Sequence, residues 1–109
     1  MSALKITILG CGSSFGVPLF HNIWGKCYPK EPKNKRTRPS ILVQKNNKNL
    51  LIDTSPDLKQ QFLSNKIDNI DTVFYTHEHA DHTHGINELR SINLIQGKYL
   101  KFVNTNQFL

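Results

Sequence analysis

The stretch Thr76-His77-Glu78-His79-Ala80-Asp81-His82-Thr83-His84-Gly85, called here the motif segment, holds four of the five histidines of the chain. In extended backbone His77 and His79 point to the same side, so both can present a ring nitrogen to one cation. Asp81, two residues after His79, points to that side as well. A helix starting after Asp81 would place His82 beside it, and the two side chains could face a second cation. A metal centre is therefore predicted, and solvated surface histidines are the weaker interpretation. The zincin motif HExxH is excluded, because Asp81 stands where its second histidine would be.

The segments before the motif segment alternate between short apolar runs and turn residues. Leu4 to Leu9 predicts a strand that runs into a glycine loop over residues 10–18. The glycine spacing does not match GxGxxG, because Phe15 occupies the place of the third glycine, so a dinucleotide site is weakly supported. Two apolar runs, 40–44 and 49–52, flank the polar residues 45–48 and predict an antiparallel hairpin.

The remaining chain predicts two helices and two strands. Ser55 can cap the first helix and Pro56 can occupy its first turn, whereas the second helix is predicted over residues 85–95. Their buried faces are predicted to be Leu58, Phe62 and Leu63 in the first helix, and Ile86, Leu89, Ile92 and either Leu94 or Ile95 in the second. Strands are expected over 71–75 and 99–103, and Asn104-Thr105 resembles another helix start.

Length and composition restrict the class of protein. A chain of 109 residues and 12.5 kDa fits one domain spanning residues 1–109 and excludes two. Its apolar runs are too short for a bilayer helix, so no membrane association is expected. The N-terminus lacks the pattern of a signal peptide and only Cys11 and Cys27 are present, so a cytoplasmic location is expected.

Most of the formal charge of +6 lies in residues 26–38, called here the basic segment, which has six cations and one acid. Pro29 and Pro32 within it, Pro39 directly after it and the lack of apolar periodicity predict an exposed connector. One interpretation is a solvated, solubilising loop. The other is a steering surface for a phosphodiester or nucleic acid, formed by Lys33, Lys35, Arg36 and Arg38. Few aromatic residues are available for base stacking, with only Trp24 and Tyr28 nearby.

Together, HisxHisxAspHis in the motif segment, the sequence LIDTSPD at residues 51–57, the glycine loop and RTRPS at residues 36–40 resemble the metallo-β-lactamase fold hydrolases. The similarity is to the branch of PhnP-type phosphodiesterases and, more distantly, to ribonuclease Z. The resemblance implies an α+β fold that forms the N-terminal half of an αββα sandwich. It also implies two divalent metal ions, zinc or manganese, and hydrolysis of a phosphodiester, such as a cyclic phosphate or nucleic acid, by a metal-activated water.

The resemblance assigns roles residue by residue. His77 and His79 would bind the first metal, whereas Asp81 and His82 would bind the second, with Asp81 also counted as catalytic. Asp53 matches an aspartate that supports the site from behind the ligands, although its position alone is equally typical of a turn residue. For His84 a contact with substrate, a role in orienting the ligands and a surface position remain open.

The family implied by the resemblance also uses residues beyond the length of this chain. Its members supply a third histidine to the first metal, a bridging aspartate and a further histidine to the second. The chain is therefore expected to be a truncated domain with an incomplete ligand set and little or no activity alone. As alternatives, it would be an inactive half-domain that binds metal weakly or self-associates, or a nucleic-acid binding module. The expected partners are a phosphodiester substrate, a second copy of the chain or a missing C-terminal half.

Overall fold

A computed structural model describes residues 3–104 of the chain. Two 3₁₀ turns, Pro32–Asn34 and His84–Glu88, accompany the strands and helices. In chain order the elements are β1 (Lys5–Gly10), β2 (Ser40–Lys45), β3 (Lys48–Ile52), α1 (Leu58–Asn65), β4 (Thr72–Tyr75), α2 (Ala80–Thr83), α3 (Leu89–Gln96) and β5 (Lys101–Asn104). The described chain is thus α+β.

The strands form one mixed sheet in the order β1-β2-β3-β4-β5. The first three strands are antiparallel neighbours, whereas β4 runs parallel to β3 and β5 runs parallel to β4. The predicted hairpin of β2 and β3 is confirmed, with Asn46 and Asn47 at its turn. Both asparagines have positive φ, 53° and 62°, as a type I′ turn requires.

Helices α1 and α3 supply apolar side chains to one face of the sheet and build the core with it. Leu42, Leu51 and Val73 lie side by side on β2, β3 and β4 and are buried. The helices contribute Leu58, Phe62, Leu89 and Ile92 to the same cluster. This layer gives the sheet a closed, packed side against which the loops at its edge are fixed.

The opposite face of the sheet is apolar but much less covered. One row across the five strands consists of Ile8, Ile41, Ile52, Phe74 and Val103. Ile8 is 64% exposed, and none of the five belongs to the buried core. An apolar face of this extent marks a surface that is suited to further packing.

Helix boundaries and faces differ in part from the sequence-based expectations. Helix α1 begins at Leu58 rather than Pro56, although Ser55 Oγ accepts a hydrogen bond from Asp57 N at 3.1 Å. The predicted helix over 85–95 is divided into a 3₁₀ turn and α3. Four residues expected on buried faces are instead exposed, namely Leu63, Ile86, Leu94 and Ile95. Helical spacing places these residues at the edge of the apolar stripe of each helix. The sheet covers only the centre of that stripe, so the edge stays exposed.

Between residues 3 and 104, no helix has both the length and the apolar character needed to cross a membrane. The last predicted helix start, at Asn104-Thr105, extends outside the described residues.

Candidate metal centre

The motif segment begins where β4 ends, beside the end of β3. These two strands are parallel neighbours, so their carboxyl ends meet at one edge of the sheet. Asp53 directly follows β3 with a φ of 64°, a left-handed conformation that aspartate tolerates better than most residues. Its backbone N donates to Phe74 O at 2.9 Å. The buried carboxylate of Asp53 is thereby placed under the motif segment.

The Asp53 carboxylate accepts three hydrogen bonds from the motif segment. Thr76 N donates to Oδ1 at 2.9 Å, and Thr76 Oγ1 donates to Oδ2 at 2.8 Å. His82 Nδ1 lies 2.6 Å from Oδ2. Since a carboxylate accepts strong hydrogen bonds when ionised, Asp53 holds both ends of the loop that carries the histidines.

This network also determines which ring nitrogens face outward. With Asp53 as the acceptor, His82 carries its proton on Nδ1, which leaves Nε2 as a lone-pair donor. Thr76 Oγ1 donates its hydrogen to Asp53 and therefore accepts from His77 Nδ1, 2.8 Å away. His77 is then also protonated on Nδ1, with Nε2 available. Hydrogen bonds of this kind orient histidine ligands in metal sites.

The motif side chains converge on one surface. The ring centroids of His77 and His82 are 4.1 Å apart, and those of His77 and His79 are 4.6 Å apart. Asp81 Oδ2 lies 3.3 Å from His82 Nε2. Asp53, His77 and His82 form a group whose potential ligand atoms all lie within 4.8 Å of one another. The structure thus groups Asp53, His77 and His82, with His79 beside His77 and Asp81 beside His82. The assignment of these residues to two separate metals stays a prediction.

The carboxyl half of the motif segment is fixed by Thr54, which is fully buried. Thr54 N donates to His82 O at 2.8 Å, and Gly85 N donates to Thr54 O at 3.0 Å. Thr54 Oγ1 donates to Thr83 O at 3.0 Å and lies 2.9 Å from the Tyr75 hydroxyl. Burial raises the pKa of Tyr75, so this phenol stays protonated and can donate to Thr54 Oγ1.

The hydrogen bonds between Thr54 and the motif segment, called here the backbone clamp on Thr54, require a glycine at position 85. A Cβ at position 85 would overlap the carbonyl oxygen of Ser55. The motif segment therefore ends in a residue that only glycine can fill without moving the backbone.

The glycine loop reaches the same surface. Ser14 Oγ donates to Asp81 Oδ2 at 3.3 Å across 67 residues of chain. Gly12 N donates to Thr37 O at 2.7 Å, so the glycine loop is also joined to the end of the basic segment. The loop thus forms one wall of the candidate metal centre.

The basic segment divides into free and paired cations. Lys33, Lys35 and Arg36 are exposed, as expected for a steering surface. Arg38 instead forms a two-pronged ion pair with Asp57, with Nη2 to Oδ1 at 2.8 Å and Nε to Oδ2 at 3.0 Å. The hydrogen bond from Arg38 lowers the pKa of Asp57, and Asp57 raises that of Arg38. The expectation of a free steering charge at Arg38 is therefore corrected, because Asp57 already neutralises it.

His84 is exposed at the start of the 3₁₀ turn that follows α2, and its contact with substrate remains a prediction. Sequence reasoning missed Thr76, Thr54 and Ser14 as contributors to the site. Thr76 directly precedes the first histidine, which was a usable signal. Thr54 and Ser14 act on residues 28 or more positions away in the chain, so no local pattern could reveal them.

The chain resembles known proteins in sequence and in fold. The sequence profile of the family described as "Beta-lactamase superfamily domain" matches residues 48–107, more than half of the chain. The chain therefore belongs to the beta-lactamase superfamily, whose members typically bind divalent metals. A curated relative, the octanoyltransferase of Porphyromonas gingivalis (strain ATCC BAA-308 / W83), is 42% identical over 90 residues, which are 82% of this chain and 18% of that protein.

Solved structures share the fold. A diphosphatase from the PhnP family superposes with a TM-score of 0.82 at 37% identity, over 94% of this chain and 42% of that one. Zn²⁺-bound PqqB from Methylobacterium extorquens gives a TM-score of 0.62 at 20% identity, over 96% and 46% of the two chains. At that identity PqqB supports the fold alone. The chain spans less than half the length of each of these relatives.

The donor set fits divalent metal ions of the zinc type. His77 and His82 are held through Nδ1, His79 lies beside His77, and the Asp81 carboxylate lies 3.3 Å from His82 Nε2. Imidazole and carboxylate are the ligand types that zinc and related first-row metals take in proteins.

Proposed function

We propose that the chain carries the metal-binding part of a hydrolase that cleaves phosphodiesters. The observation that carries this proposal is the single network in which Asp53 orients His77 through Thr76 and His82 directly, each ring being held by its Nδ1. A structural histidine cluster would not need two rings held in the same tautomer by one buried carboxylate. The PhnP-family diphosphatase, 37% identical, adds support for phosphate chemistry.

In this proposal His77, His79, Asp81 and His82 hold two divalent ions, zinc or manganese. Such ions supply Lewis-acid stabilisation of a phosphoryl group and a nucleophile from water at neutral pH. His77 and His79 hold the first ion, and Asp81 and His82 hold the second. Asp81, which also accepts from Ser14, is the motif carboxylate to which the proposal gives a catalytic role. Asp53 acts through the ligands as a positioning residue.

The free cations of the basic segment would attract the anionic substrate. Lys33, Lys35 and Arg36 are exposed, and the segment is joined to the glycine loop through Thr37 O and Gly12 N. Exposed like charges near a site raise the encounter rate of anions without fixing their orientation. This role does not require base-specific contacts.

The proposed activity also requires residues outside this chain. Two protein ligands for each ion fall short of the three or more that catalytic sites use. The chain covers 42% of the length of the solved diphosphatase, and the apolar face of the sheet is suited to packing against a further layer. We therefore propose that a complementary segment both covers this face and completes the ligand set.

The open apolar face also favours a second candidate, an inactive half-domain that self-associates. Burying the row from Ile8 to Val103 against a second copy would remove apolar surface from water without any catalysis. In that case the histidines would bind metal weakly and no phosphodiester would be turned over.

The test replaces the matched region of the solved diphosphatase by this chain. The chimera and the 109-residue chain are assayed with bis(p-nitrophenyl) phosphate and either zinc or manganese, with Asp81→Asn as the inactivated variant and the exposed Asp68→Asn as its matched control. We expect metal-dependent turnover by the chimera, loss of about 10²-fold or more in Asp81→Asn, and little turnover by the chain alone. A folded, metal-loaded chimera without turnover would refute the proposal and favour the inactive half-domain.

A further inference from the structure

A cleft of about 300 Å³ lies beside the glycine loop, and none of the predicted metal ligands lines it. Its lining is mostly apolar and is drawn from the loop and from the segment that follows it. The residues used below are Gly12, Phe15, Val17, Leu19, Ile23 and Trp24. The volume is at the lower end of the range for sites that bind small organic ligands, about 300 to 1,000 Å³.

Backbone hydrogen bonds give this cleft a defined frame. Val17 N donates to Arg36 O at 2.8 Å, and Arg36 N donates to Val17 O at 2.9 Å. Leu19 and Ile23 bond each other in the same reciprocal way, at 2.9 and 3.3 Å. A frame built on paired backbone groups is in place before a ligand arrives, which lowers the entropic cost of binding.

Two aromatic residues define the chemistry of the cleft. Phe15 lines it and is 78% exposed, so its ring is accessible to a ligand. Trp24 lines it from the following segment. Aromatic faces bind planar rings by stacking, and such stacking is tolerant of the identity of the ring.

The cleft adjoins residues that bond to Asp81 and to the basic segment. Ser14, which donates to Asp81 Oδ2, stands between the lining residues Ser13 and Phe15. On the other side, Arg36 is bonded to Val17, and its Nη1 lies 3.8 Å from Cys11 Sγ. A phosphate ester that reaches the metal centre thus has an apolar site for its organic group. This site is lined by Ser13 and Phe15, the neighbours of Ser14 in the chain, and Ser14 donates to Asp81. Nearby cations complement its charge.

We propose that this cleft binds the planar ring of a nucleotide-like phosphate ester, an inference that rests on the proposed function and specifies its substrate class. The ring stacks on Phe15 and Trp24, while the phosphate lies toward Ser14 and Arg36. The apolar lining offers few groups that distinguish one base from another, so the cleft selects planar rings in general.

The test uses adenosine 5′-monophosphate and ribose 5-phosphate, which differ by the base alone. Affinities for the 109-residue chain are measured by calorimetry in the presence of a metal chelator. Emission of Trp24, the single tryptophan, serves as the local reporter. We expect adenosine 5′-monophosphate to bind more tightly and to change Trp24 emission saturably. Phe15→Ala should weaken its binding about tenfold, as loss of one stacking partner does, and Phe15→Tyr should restore it.

The matched control is Tyr99→Ala, which removes a 96% exposed aromatic residue that does not line the cleft, and it should leave both affinities unchanged. Equal affinity for the two ligands, or unchanged binding by Phe15→Ala, would overturn the cleft assignment. Because no metal is present, the outcome is separate from hydrolysis. A base-dependent affinity without turnover by the chimera would refute the proposed function and leave the cleft standing.

Discussion

The motif segment (residues 76–85) and the basic segment (residues 26–38) both carry groups suited to a phosphate ester, but the fold holds them in opposite ways. The motif segment is bound to Asp53 and Thr54 by six hydrogen bonds, through Thr76, His82, Thr83 and Gly85. In the basic segment Lys33, Lys35 and Arg36 are exposed. Coordination acts over about 2 Å and needs fixed ligands, whereas charge attraction acts over about 10 Å at ordinary salt and does not. Substitutions that loosen the motif segment should therefore cost far more than those in the basic segment.

The largest effect is expected from Gly85→Ala. The added Cβ would overlap the Ser55 carbonyl, so the backbone clamp on Thr54 must open. We expect a loss of about 3 kcal/mol in the free energy of unfolding, measured by urea denaturation. Asn87→Ala, at an exposed position in the same 3₁₀ turn, is the control and should cost less than about 0.5 kcal/mol. Equal stability of the two variants would show that the clamp adjusts freely.

Asp53→Asn tests the hydrogen bonds by which Asp53 orients His77 and His82, with little change in side-chain size. The amide keeps the size of the side chain but cannot accept from both Thr76 and His82 as the carboxylate does. Loss of such a partner lowers metal affinity by about 10- to 100-fold. Zinc titration monitored by calorimetry gives this affinity. The exposed Asp68→Asn is the control, and an unchanged affinity in Asp53→Asn would remove Asp53 from the site.

Arg38, in the basic segment, forms an ion pair with Asp57, which directly precedes α1. The contribution of this pair to the free energy of unfolding should depend on pH. Arg38 lowers the pKa of Asp57 below its ordinary value of 3.8, so the pair stabilises the fold above about pH 4. That stability should disappear as pH falls through the lowered pKa. At pH 7 Asp57→Asn should cost about 1.5 kcal/mol, and the cost should shrink toward zero in acid.

Thermal unfolding across pH provides the measurement. Lys98→Met breaks the more exposed pair with Asp71 and should cost less, within about 1 kcal/mol. If the cost of Asp57→Asn were constant down to pH 2, the ion pair would not be its source.

The smallest effect is expected in the basic segment. Lys33→Glu with Lys35→Glu should lower kcat/KM of the chimera for an anionic ester about fivefold at low salt, because only the encounter rate changes. The difference should vanish near 0.5 M salt, where screening is strong. Lys45→Glu with Lys48→Glu reverses two charges at the far end of the β2–β3 hairpin and serves as the control. A salt-independent loss would mean that Lys33 or Lys35 touches the substrate directly.

The sequence predicted what depends on local pattern. The hairpin turn at Asn46-Asn47 and the strand before the motif segment follow from residue alternation and turn chemistry. The closeness of His77 and His79 follows from their spacing, whereas the grouping of His77 with His82 and Asp53 was not predicted.

What the sequence could not predict depends on contacts between distant residues. Arg38 meets Asp57 across 19 residues, and no pattern in the basic segment distinguishes it from Lys35. Leu63 and Ile86 fit a helical stripe by spacing, but how much of the stripe is buried depends on how each helix is rotated against the sheet.

The most direct test of the central claim is the zinc content of the 109-residue chain after dialysis, compared between the wild type and His79→Ala. His79 is exposed, so its removal should leave the fold intact, and the exposed His21→Ala, outside the motif segment, is the control. We expect the wild type and His21→Ala to retain zinc, weakly because the ligand shell is incomplete, and His79→Ala to retain at least tenfold less. Equal, near-zero zinc in all three would contradict a metal centre in the motif segment.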